Sequence, residues 1–113
     1  MRVLNKTQNR VIASKAVLAD SFFTRAKGLL GRTSLSSDEA LVITHCNSIH
    51  MFFMKFAIDA IFVDKTHHVV GLLEGIKPNQ LSPVFFKSIY VVELKEGKIQ
   101  ESGTKLGDEI LWD

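Results

Sequence analysis

Short apolar runs separated by polar turns follow one another along the chain, and most of them read as strands. Residues 3–5 can form a short strand, and Thr7, Gln8 and Asn9 a turn. Residues 10–18 then alternate in part, with Val11, Ala13 and Val17 on one face and Ile12, Ala16 and Leu18 on the other. Side chains on an extended backbone alternate between faces. Apolar groups on both predict a strand covered on both sides, paired with residues 3–5 as a hairpin.

The spacing changes after Asp20 and Ser21, either of which suits a helix N-cap. Phe22, Phe23, Ala26, Leu29 and Leu30 recur at helical spacing, and Gly31 is placed to end the helix. Arg25, Lys27 and Arg32 would then face water. Residues 33–39 are polar and turn-like. Residues 40–44 read as a buried strand, 50–56 as extended or irregular chain, and 58–63 as a strong strand. Residues 68–73 return as its antiparallel partner. Residues 74–87 hold both prolines and read as a long loop, the kind that often walls a pocket. A core strand over 88–94, a short helix over 96–102 stopped by Gly103, and a last strand before the C-terminus complete the pattern. Six or seven strands with one or two short helices predict an α+β, mostly β fold, a strongly coiled or partly closed barrel-like sheet.

Composition narrows the possibilities. At 113 residues the chain is long enough for one domain, residues 1–113. It is 46% hydrophobic and 23% charged, an ordinary globular balance. The net charge is +2 and the basic residues are scattered, so nucleic acid is not an expected partner. A lone cysteine cannot form an internal disulfide, no apolar run is long enough to span a membrane, and the start MRVLNKTQNRV is too polar for a signal peptide. A cytoplasmic location is expected. The oligomeric state is open.

The candidate chemistry gathers in residues 44–64, with the only cysteine, two of the four histidines, and Asp59 inside an apolar run. A buried acid needs hydrogen-bond donors or a cation, or it becomes neutral. Asp59 is therefore an acid/base group, a ligand anchor, or a structural carboxylate held by backbone N–H groups of the preceding loop. Cys46, His50 and Met54 stand four apart and would make a soft copper(I) site on a helix. The segment does not read as helical, so no metal and no cofactor is expected. Cys46 beside His45 or His50 is a candidate nucleophile. His50 with Asp59 is a candidate imidazole–carboxylate pair. Glu93 either faces solvent, pairing with Lys95 or Lys98, or joins Asp59 as a second carboxylate. His67 and His68 fall in a turn and should be solvated. Gly107 and Asp108 make a structural turn.

The runs RAKGLLGR (25–32), CNSIHMFFM (46–54) and FAIDAIFVD (56–64), followed by Val69-Val70, Val92-Glu93-Leu94 with Gly97, and Leu106-Gly107-Asp108, resemble domain-of-unknown-function family 192 over residues 10–111. The resemblance implies a compact β-rich fold with a short helix and no established reaction; many such relatives carry secretion signals. Met51, Phe53 and Val92 depart from the family's pattern, and Met51 and Phe53 would fill part of any pocket built around the central block.

The leading expectation is an uncharacterised small domain that binds a small ligand or a protein partner. The site would lie near residues 47–54, with Asn47, His50, Met54, Asp59 and Glu93 in contact and Phe52 and Phe56 adding apolar wall. The alternative is a hydrolase-like enzyme using His50 and Asp59 with Cys46. A third is a structural or interaction protein with a Phe85–Phe86 patch.

Overall fold

The polar turn over residues 6–9 lets Val3 and Ile12 meet in one core. β1 (Val3–Asn5) pairs antiparallel with β2 (Arg10–Ala13), and Asn9 closes the turn at φ 55°, a left-handed angle that asparagine tolerates. The computed structural model describes all 113 residues, the side chain of Phe22 excepted.

The strand expected over residues 10–18 is two strands. At Ser14 the chain turns out of the first sheet, and β3 (Lys15–Ala19) pairs in parallel with β4 (Glu39–Thr44) in a second one. Both β2 and β3 are edge strands. Ile12, Ala13, Ala16 and Ala19 are buried, while Val11 and Val17 stay exposed, so the cover is one-sided.

α1 (Phe22–Lys27) starts at Ser21 through a reciprocal cap. The Thr24 N–H donates to Ser21 Oγ at 3.1 Å, and the Ser21 N–H donates to Thr24 Oγ1 at 3.0 Å. The helix ends at Gly28, φ 49°, one turn before the expected Gly31. Leu29 therefore reaches the core from a turn, and Phe23 is exposed. The position expected for the Phe22 side chain lies outside the described residues.

β5 (Ile58–Asp64) and β6 (Val69–Ile76) form the expected hairpin. Asp64 Oδ1 fixes its turn by accepting the N–H groups of Thr66 and His68 at 2.9 and 3.0 Å. β6 runs to Ile76, into the expected loop. β7 (Ser88–Lys95) lies between β4 and β5, antiparallel to both. α2 (Lys98–Ser102) ends at Gly103 as expected, and β8 (Ile110–Trp112) closes on the free side of β1. Among the described residues there are thus eight strands and two short helices, α+β and mostly β. They form two open sheets, β2-β1-β8 and β3-β4-β7-β5-β6. No helix among the described residues is long and apolar enough to cross a membrane.

The larger sheet has two different faces. The register puts Val42, Val92 and Ile61 in one row and Leu41, Glu93 and Ala60 in the next. The first row packs on the small sheet, where Val3, Ile12 and Ile110 meet Val42, Ile61 and Leu94. The second is covered mainly by irregular chain, with Leu29, Leu35 and Met51 over Leu41, Ile43 and Ile58.

Asp59 belongs to the first face, opposite Leu94. It is 0% exposed. Its Oδ1 accepts the N–H of Gly75 at 2.9 Å, and its Oδ2 accepts those of Gly97 and Ile99, both at 3.0 Å. Asp59→Asn puts an amide NH2 against donors that need an acceptor. The variant should lose about 3 kcal/mol or more in urea denaturation; a loss below about 1 kcal/mol would mean the three bonds are not what holds this corner.

Candidate functional site

The second face carries a cavity because of how the chain leaves β4. His45 adopts φ 53°, which turns the backbone sharply, and the next residues fold back over the sheet. That segment is fastened to the 79–85 loop by backbone bonds. Met51 N–H donates to the Gln80 carbonyl at 2.8 Å, Ser82 N–H to Ile49 at 2.9 Å, and Phe85 N–H to Asn47 at 2.9 Å. The Phe85 ring lies on Phe62 at 4.3 Å, and Gly71 makes room for it: a Cβ there would stand 2.5 Å from the ring. Between this cover, the end of α1 and the sheet is a space of about 180 Å3.

Glu93 lines that space from β7. It is 7% exposed, with Leu41 and Ala60 beside it in the ladder. Its carboxylate makes no hydrogen bond or ion pair with any described residue. Lys98, one of the expected partners, pairs with Glu101 at 3.1 Å instead. Burial away from water disfavours the charged form and raises the carboxyl to about 7.

Of the expected site residues, Cys46, His50, Met54 and Glu93 line one cavity. Asn47 and Asp59 are not among its walls. Asn47 is exposed. Asp59 and Glu93 project from opposite faces of the sheet, because Asp59 stands opposite Leu94 and its neighbour Ala60 opposite Glu93. The two carboxylates do not form a pair. Nor does Asp59 meet His50, whose ring stacks on Phe52 at 5.2 Å.

One residue joins that the sequence did not suggest. Arg25 turns toward the cavity rather than to open water, and its Nη1 lies 3.3 Å from His45 Nδ1. A guanidinium only donates, so His45 Nδ1 is the acceptor in this contact. The one available signal was spacing: Arg25 precedes Leu29 by four and so shares its side of the helix.

The Cys46 thiol donates to the Ser48 carbonyl at 3.1 Å. Burial pushes its pKa up, with smaller pulls upward from Glu93 and downward from Arg25. No three of the described His, Cys, Asp and Glu side chains are grouped closely enough to share a metal ion. Met51 is buried under the cover, whereas Phe53 is 83% exposed, so only Met51 packs inward. Phe86 is 89% exposed while Phe85 is half-buried. His67, expected in solvent, packs against Trp112 at 4.7 Å and donates from Nδ1 to the Ile110 carbonyl at 2.9 Å. Asp108 is the expected turn acid: burial works against its charge, but bonds from Asn5, the Lys105 N–H and Gln8 hold its pKa below the usual carboxylate range.

Comparison with known proteins gives one family. The family model of DUF192, described as Uncharacterized ACR, matches residues 3–112. A UPF0127 protein of Thermococcus sibiricus is 33% identical over 98% of this chain and 74% of its own length. One from Pyrococcus horikoshii is 32% identical over 97% of both. A crystal structure of a protein of unknown function from Novosphingobium aromaticivorans superposes with a TM-score of 0.84, at 24% identity, over 98% of this chain and 82% of that one. Another, from Sinorhizobium meliloti and provisionally described as a transcription regulator, has a TM-score of 0.83 at 19% identity over 97% and 89%. At these identities the two structures establish the fold alone.

The isolation of Glu93 has a measurable consequence. Its folded pKa lies above the ordinary 4.5, so its contribution to stability is fully present below about pH 4.5 and is lost as pH rises toward 7. Glu93→Gln removes that loss. In denaturation series, the stability of the variant relative to wild type should grow by about 3 kcal/mol between pH 4 and pH 8; a constant difference would mean that the carboxyl titrates like a free glutamate.

Proposed function

Because the chain belongs to DUF192, a family without an assigned activity, we propose that it is a binding domain whose cavity at Cys46, His50, Met54 and Glu93 receives a small ligand. The supporting observation is Glu93. A carboxyl set among apolar side chains, with no donor from the protein, costs stability, and packing alone would be better served by an apolar residue at this position. A ligand that supplies the missing donor accounts for it. About half of the wall is apolar, and polar groups converge with it on one space, which is how small-ligand sites are generally built.

Asp59 has a different part in this reading: it holds the frame that sets β7, and with it Glu93. A hydrolytic role for Cys46 finds little support, since burial and the nearby carboxyl both disfavour the thiolate. Nucleic acid stays outside the reading, because 14 basic residues stand against 12 acidic ones without a basic stripe. A reducing compartment such as the cytoplasm suits a lone free thiol.

Titration of small polar molecules against 15N-labelled protein should move the amides of residues 45–51, 54 and 93 together. The same probes should lose these shifts in Met54→Trp, which fills the cavity, provided its circular dichroism matches wild type. Shifts confined to other parts of the sheet would overturn the pocket. Ellman's reagent should react with Cys46 at pH 7 at least about ten times more slowly than with free cysteine; a faster reaction would restore the nucleophile.

A further inference from the structure

Building on the pocket reading, we propose that the ligand is a small zwitterion, with its ammonium group on Glu93 and its carboxylate at the cavity mouth between Arg25 and His45. The argument rests on the order of charges with depth. The inner wall carries one acid, buried and without a partner. The mouth carries cations or potential cations, Arg25, Lys27, His45 and His50, all more exposed than Glu93. None of the four is in a salt bridge among the described residues, whose ion pairs join Arg2 to Asp113, Lys15 to Asp38, Arg32 to Glu39 and Lys98 to Glu101.

Each simpler ligand meets one group of the wrong sign. A plain anion suits Arg25 but faces Glu93 at the bottom. A plain cation suits Glu93 but lies beside Arg25 and Lys27. A molecule with both charges gives each its complement, through charge-assisted hydrogen bonds that are stronger than neutral ones. Arg25 is equipped for a carboxylate: a guanidinium has five N–H donors, and only Nη1 is engaged, by His45, among the described residues.

Distance and size fit the same class. The Cys46 thiol, held up chiefly by burial, is raised further by Glu93 and lowered by Arg25. Both charges also line the same small space. The space of about 180 Å3 is below the roughly 300–1,000 Å3 of pockets for drug-sized ligands, so amino-acid size is appropriate. Leu29, Ile43, Ile49 and Met54 offer an aliphatic chain an apolar wall.

Four probes test this on the full chain by amide chemical shift. L-leucine and 5-aminopentanoate carry both charges; 3-methylbutylamine is leucine without its carboxylate; 4-methylpentanoate is leucine without its ammonium. At least one zwitterion should bind at residues 45–51 and 93, at least tenfold tighter than either singly charged probe. Glu93→Gln should weaken that zwitterion tenfold or more. Arg25→Gln, a change on the rim, should bring it down to the level of the amine. If the amine or the acid binds in the cavity as tightly as both zwitterions, the ligand class is wrong and the pocket stands. If neither zwitterion moves these amides while the amine or the acid does, the class is likewise overturned. If every probe acts elsewhere, the pocket reading falls with it.

Discussion

The Asp59 carboxylate ties together three parts of the chain, β5, the end of β6 and the start of α2. It takes one N–H from Gly75 near the end of β6 and two, from Gly97 and Ile99, at the start of α2. The first N–H groups of a helix lack partners within it, and a carboxylate is a strong acceptor for them. The backbone must also bend to present these donors. Gly75 and Gly97 sit at φ 64° and 98°, angles that side chains rarely adopt, and a Cβ on Gly75 would stand 2.5 Å from Glu96 Oε2. Two glycines and one acid thus fix how the β5–β6 hairpin meets the exit from β7.

That constraint reaches the cavity through register. With Asp59 opposite Leu94 and directed toward the small sheet, the next rung must place Ala60 and Glu93 on the other side. Two carboxylates on adjacent rungs therefore live in opposite chemical surroundings. One has three donors and no solvent. The other has apolar neighbours, no donor, and a space in front of it. Their contrast comes from environment alone, since the carboxyl groups are the same.

Local features were readable in the chain. The 58–73 hairpin, the Ser21 cap and the Gly103 stop depend on neighbours in sequence, and each was found where expected. What depended on distant partners was not. Nothing near Ser14 indicates that the next five residues will pair in parallel with Glu39–Thr44. Asp59 was legible as an acid in need of donors, but they arrive from 16, 38 and 40 positions downstream rather than from the preceding loop. Glu93 read as a strand-end acid because its side depends on the mutual register of three strands. Arg25 read as a surface cation because the cavity it lines is walled by residues 43–54 and by Glu93, far from it in the sequence.

The break at Ser14 matters beyond pairing. β2 and β3 are nearly consecutive in the chain, yet they edge two different sheets, and Ile12 and Ala16 contribute to the same core from either side of it. The two sheets are in this way sewn together by one continuous thread. Fraying at either edge pulls on the other, and pulling Ile12 from its place wets the large sheet as well. Opening along this seam therefore disturbs both sheets together. The irregular cover over the cavity lies outside the seam, fastened by backbone bonds between loops and by Met51 and Phe85 packed on the large sheet.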